Sequence, residues 1–134
     1  MKYFRYMNKT YLIIAAVLGA LSVILGAFGA HALKSRMAPD ALDIFETAVK
    51  YQFYHVFALL AVAIISQFIP GSLLTWSGRS FIAGMILFSG SLYLLSYFKM
   101  AGNTHMNWLG AVTPFGGLCF IAGWLLLAFA AIKN

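Results

Sequence analysis

The chain has 134 residues, of which 63% are hydrophobic and 9% charged, with a net charge of +6. Soluble domains carry about 25% charged residues, so this chain cannot cover a water-facing surface, and its length fits one domain, residues 1–134, embedded in a bilayer. The nine Lys and Arg residues are scattered and sit mostly where apolar runs end, which argues for interfacial anchors and against a nucleic-acid partner.

Crossing about 30 Å of hydrocarbon takes about 20 apolar residues in a helix. Four stretches qualify: residues 11–33, 51–69, 80–98 and 113–132. The expected fold is an all-α integral membrane four-helix bundle, with an amphipathic helical lead-in to the second span. Tyr11, Tyr51, Trp76, Tyr97 and Trp108 lie near the ends of these stretches, where aromatic belts form.

The first stretch has a basic start (Lys2, Arg5, Lys9) and resembles a secretory signal, but its apolar run exceeds the usual 7–15 residues. On a helical wheel Ala15, Gly19, Ser22, Gly26 and Gly29 form one stripe, and Ile14, Val17, Leu21, Leu25 and Phe28 fall opposite. Hydrophobicity does not drive helices together in lipid, whereas small residues let backbones approach. The stripe is therefore expected to pack on protein and the bulky face on lipid. His31 follows at its edge and can turn toward the bundle.

The lead-in starts at Pro39. Proline suits a first helical position, and Asp40 and Asp43 suit the first turn, where the helix dipole favours acids. Asp43, Glu46, Thr47, Lys50, Tyr51 and Tyr54 gather on one side, against Leu42, Phe45, Val49 and Val56. Glu46 and Lys50 stand i,i+4 in the favourable order for an ion pair. His55 falls within a span, where an unpaired ionisable group is costly.

The third stretch carries Ser80, Gly84 and then Ser89, Gly90 and Ser91. The fourth places Gly116, Cys119, Gly123 and Ala130 on one stripe, with Thr113 as expected N-cap and Pro114 as the first helical residue. Gly19, Ser22, Gly26, Gly29, Gly84, Gly90, Gly116 and Gly123 are the expected helix-packing positions. Cys119 is the sole cysteine, so no disulfide forms within the chain, and it reads as a small apolar filler.

Four spans put the N-terminus, the loop near residues 70–79 and the C-terminus on one side, with Lys2, Arg5, Lys9, Arg79 and Lys133. The other side holds Lys34, Arg36, Lys50 and Lys99. This bias of five to four, with the richer flank on the first helix, predicts a cell-membrane protein with both termini in the cytoplasm. Connectivity then gathers His31, His55 and His105 at the extracytoplasmic end, with Glu46, Tyr51 and Tyr54.

A candidate ligand cluster of His31, Glu46, Tyr51, Tyr54 and His55 follows, bridged by the tyrosines. Two or three histidines and a carboxylate are suitable for a metal, but the spacing fits no metal motif, and no P-loop, HExxH, GxSxG or CxxC occurs. The residues therefore favour a non-enzymatic bundle acting by interaction with lipid, with a second copy or with a partner membrane protein, and imply no cofactor. The rival is a small-molecule or metal binding or transport protein using that cluster. A third possibility is a membrane enzyme with His55 and Glu46 as acid and base.

The segments "LGAFGAHALK", "FETAVKYQFYHVFALL", "LFSGSLYLL" and "GAVTPFGGLCFIAGWLLL" resemble the YgdD/YwdK-type family of small membrane proteins. That resemblance covers nearly the whole chain and implies a four-helix membrane protein, without implying an activity. The matching positions are Gly26, Gly29, His31, Glu46, Tyr54, His55, Ser89, Gly90, Tyr93, Thr113, Pro114 and Gly117.

Overall fold

The computed structural model describes residues 7–134, so of the basic N-terminal flank only Lys9 is placed and Lys2 and Arg5 lie outside the described residues. Helix α1 (Lys9–Phe28) continues through a π-helical turn, Gly29–Leu33. Helix α2 is Pro39–Ile65, α3 is Ser72–Gly84, and α4 (Gly90–Met100) follows α3 through a second π-turn, Met85–Ser89. A short 3-10 turn, Asn107–Ala111, leads into α5 (Thr113–Lys133). These elements make four helices long and apolar enough to cross a membrane: Lys9–Leu33, Pro39–Ile65, Ser72–Met100 and Asn107–Lys133.

Four boundaries differ from the sequence expectation, one being the end of the second span, which closes at Ile65 rather than residue 69. The third span begins at Ser72 rather than residue 80, because the polar run around Arg79 is helical. The second begins at Pro39, and its lead-in is the span's own first turns, in one unbroken helix. Thr113 opens α5 without capping it. Its hydroxyl instead lies 2.8 Å from the Ser91 hydroxyl, tying α5 to α4. Pro114 does occupy the first turn.

Asn8 caps α1 by accepting from the Tyr11 amide, and its own N–H donates to Ala63 O at the end of α2. The Tyr11 hydroxyl donates to Thr75 O on α3 at 2.7 Å. The start of α1, the end of α2 and the start of α3 therefore share one end, here called the terminal end. At the opposite end Lys99 pairs with Asp40, the one salt bridge among the described residues.

Helix α1 packs mainly on α2, and α3 with its π-turn packs mainly on α5. The expected stripe of α1 faces α2: a Cβ at Gly19 would lie 3.4 Å from Val56 and one at Gly26 3.6 Å from Val49. The bulky face is less cleanly lipid-exposed than the wheel suggests. Val17, Leu21 and Phe28 are exposed, whereas Ile14 and Leu25 are partly buried against the core.

The α3–α5 interface is tighter. A Cβ at Gly84 would overlap the Phe120 ring, one at Gly123 would lie 2.6 Å from Phe81, and one at Gly116 would collide with the Phe88 backbone. Gly90 differs, since a Cβ there would meet only Met85 O at 4.0 Å. Its expected role in close packing is not met. Six residues separate it from Gly84, which at about 100° per residue puts it about 120° away from the Gly84 face.

Candidate functional site

Buried residues of α2 include Ala41, Phe45, Ala48, Gln52, His55, Leu59 and Val62, spaced four and three apart. That is the stripe of a helix enclosed on one side. Two of its members, Gln52 and His55, are polar, and both are nearly inaccessible. A polar side chain inside a bilayer must find partners within the protein.

His55 finds them on both ring nitrogens. Its Nδ1 lies 2.7 Å from Tyr51 O, and its Nε2 lies 3.2 Å from the Trp124 indole nitrogen on α5. Indole N–H only donates and a carbonyl only accepts. The pair of bonds therefore requires the neutral tautomer with the proton on Nδ1. The imidazole also stacks on Phe120 at 3.5 Å and 7°, and Phe81 stands 5.7 Å away. Large rings thus fill the space between α2 and α5.

Gln52 forms a second link. Its Nε2 donates to Leu18 O on α1 at 3.1 Å, and its Oε1 accepts from the Tyr93 hydroxyl on α4 at 2.9 Å. One side chain therefore ties three helices together. Ser89 donates to Ala48 O, and Ser77 to Gly123 O, both fully inside the bundle. Among the described residues no buried side-chain nitrogen or oxygen lacks a partner.

Of the five residues expected to form one cluster, Tyr51 neighbours both Tyr54 and His55, with ring centroids 6.0 and 6.2 Å apart, whereas His31 and Glu46 do not join them. His31 lies exposed on the π-turn after α1, and Glu46 is exposed on α2. Glu46 and His55 are nine residues apart, which at about 100° per residue is half a turn out of phase, and about 13 Å along the axis. They face opposite sides of the helix. The wheel reading erred by extending the polar side past Tyr54. His55 also lies near mid-span, sixteen residues into α2, rather than at the extracytoplasmic end.

Tyr54 is exposed, and Tyr51 is half-exposed over the Phe88 ring at 4.5 Å. Tyr51 also sits about 18 Å along α2, away from any aromatic belt. No group of three or more His, Cys, Asp or Glu side chains converges among the described residues. Glu46 and Lys50 make no ion pair, and line a shallow pocket with Gly26, Gly29, Phe45 and Val49. His105 is exposed in its loop, and Cys119 is free and half-buried. Gln52 was missed, though its place in the four-three stripe marked it as interior.

The geometry describes a membrane bundle with a hydrogen-bonded interior, and comparison with known proteins agrees. Residues 25–117 match the family described as "Protein of unknown function (DUF423)". The chain belongs to that family. It is 40% identical to the UPF0382 membrane protein YwdK of Bacillus subtilis (strain 168), over 93% of this chain and 98% of that one. It is 39% identical to a UPF0382 membrane protein of Staphylococcus haemolyticus, over 93% and 97% respectively. Identity with the UPF0382 inner membrane protein YgdD of Escherichia coli (strain K12) is 38%, over 94% of this chain and 92% of the relative. No solved structure matches the chain. The protein is thus an integral membrane protein of a family with no assigned activity, as its composition implied.

Proposed function

We propose that this protein carries out no reaction of its own and acts by interaction, through its outer surface, with lipid or with other membrane protein, a second copy included. The observation that supports this most is the engagement of both nitrogens of His55, the one ionisable imidazole inside the described bundle. A histidine bonded on both sides has no nitrogen left for a metal or for proton transfer. The outer helices support the same reading: in α1 and α5 little of the apolar surface is buried by the rest of the chain. Native mass spectrometry of the full chain in mild detergent tests it. The expected result is a protomer or oligomer carrying lipid and no metal. A metal or small molecule that leaves on His55→Ala, with the fold retained, overturns the reading.

For orientation, we propose that both termini face the cytoplasm. The support is the charge bias of the sequence, five basic residues against four, with three of the five at or before the first residue of the first span. A fluorescent reporter that folds only in the cytoplasm, fused after Asn134, should be bright. An active periplasmic reporter at the same site reverses the assignment.

A further inference from the structure

The terminal end contains a cavity of about 230 Å³ between the start of α1, the end of α2 and the start of α3. Its lining is mixed: Asn8, Tyr11, Ser66, Gly71 and Thr75 over an apolar floor that includes Val62 and Leu74. Tyr11 forms one wall because Gly78 admits it. A Cβ at Gly78 would overlap the phenol ring, and the ring's hydroxyl is then held by Thr75 O. Arg79 stands one turn beyond Thr75 on α3, beside the Tyr11 hydroxyl, with its guanidinium 4.9 Å from the centre of the Trp76 ring. Lys9 follows the capping Asn8 and is exposed.

The charges are distributed unevenly between the two ends. All three acidic residues, Asp40, Asp43 and Glu46, belong to the opposite end of the bundle. Lys9, Arg79 and Lys133 therefore face no acidic side chain at the terminal end. Lys99, at the opposite end, is already paired with Asp40. A cavity that is polar at its mouth and apolar at its floor, has Arg79 beside its Tyr11 wall and Lys9 next in the chain to Asn8, and lies at an end without acidic side chains complements an anion with a hydrocarbon tail.

We propose that this cavity seats the headgroup of an anionic phospholipid, with Arg79 and Lys9 meeting the phosphate and Trp76 and Tyr11 lying against the glycerol region. Guanidinium matches phosphate geometry in a way a lysine does not, and basic side chains at a membrane surface attract acidic lipid. The proposal deepens the interaction reading given above and rests on it, naming the partner of one end.

The test is lipid titration of the full chain in neutral detergent, followed by native mass spectrometry, with phosphatidylglycerol and phosphatidylcholine compared. Phosphatidylglycerol should bind about tenfold more tightly or better. Arg79→Gln and Lys9→Gln together should remove the preference, Arg79→Lys should keep part of it, and Lys50→Gln at the other end should leave it intact. Equal affinity for the two lipids overturns the proposal, as does an equal loss in Lys50→Gln. Displacement of the lipid by inorganic phosphate at similar concentration also overturns it, assigning the cavity to a soluble anion. These results concern the seat alone. The interaction reading fails separately, by a metal or small molecule lost from the interior.

Discussion

On α1, a methyl group added at Gly19 or Gly26 would rest 3.4 or 3.6 Å from a valine of α2, an ordinary van der Waals contact. On α5, one added at Gly116 would lie 2.7 Å from Phe88 Cα, and one at Gly123 2.6 Å from the Phe81 ring. The two interfaces use the same residue type for different ends. In α1–α2 the small residues present a shallow surface that valine side chains fill. In α3–α5 they remove the side chain altogether so that phenylalanines, and at Gly116 a backbone, can enter. The richest small-residue stripe in the sequence is therefore not the closest packing in the molecule.

The largest effect should come from Gly116→Ala, because backbone cannot move aside as a side chain can. It should destabilise the bundle by about 3 kcal/mol, at the upper end of overpacking, measured as a fall in unfolding midpoint in one detergent. A native midpoint would remove the contrast between the interfaces. Gly29→Ala should cost less, about 1 kcal/mol, since its obstacle is the edge of the Phe45 ring at 2.8 Å. Adding Phe45→Leu should recover part of that loss, and strictly additive losses would show that the ring is not the obstacle.

Trp124→Phe keeps a ring but removes the indole N–H from His55 Nε2. Interhelical hydrogen bonds in membranes average about 0.6 kcal/mol, and a loss near that size is expected in the same unfolding assay. A loss of several kcal/mol would mean that the α2–α5 junction depends on this bond rather than on ring packing. Gly26→Ala should lie within about 0.5 kcal/mol of native, because 3.6 Å leaves room for a methyl. Gly90→Ala should have the reverse sign, a gain of about 0.5 kcal/mol, since a Cβ there is unobstructed and alanine favours helix. A destabilised Gly90→Ala would show that the π-turn needs glycine after it.

The four spans were legible because bilayer thickness imposes a length that composition reveals directly. The polar face of α2 from Asp43 to Tyr54 was legible too, as period 3.6 is a local property of the chain. What escaped depends on partners distant in sequence. Residue spacing does not show that the Gln52 amide reaches from α1 to α4, or that Trp124 faces His55 from a helix 69 positions away. The π-turn at Met85–Ser89 has no sequence signature of its own, and Gly90, six residues after Gly84, stands about 120° away from it on a regular helix. Grouping His31, Glu46 and His55 failed because shared connectivity fixes the end of a helix but not the face.

The uninterrupted length of α2 also bears on the kind of membrane the protein fits. Its 27 residues extend about 40 Å, about 10 Å more than an average hydrocarbon core. Asp40, Asp43 and Glu46 all fall within about the first 10 Å, so the surplus coincides with the acidic turns. The bundle is therefore matched to a core of average thickness or less. In a thicker, sterol-rich bilayer the same helix would draw Glu46 into hydrocarbon, and tilting, the usual relief for a long helix, would make that worse. Hydrophobic mismatch thus gives this protein a one-sided tolerance, for thinner membranes and against thicker ones.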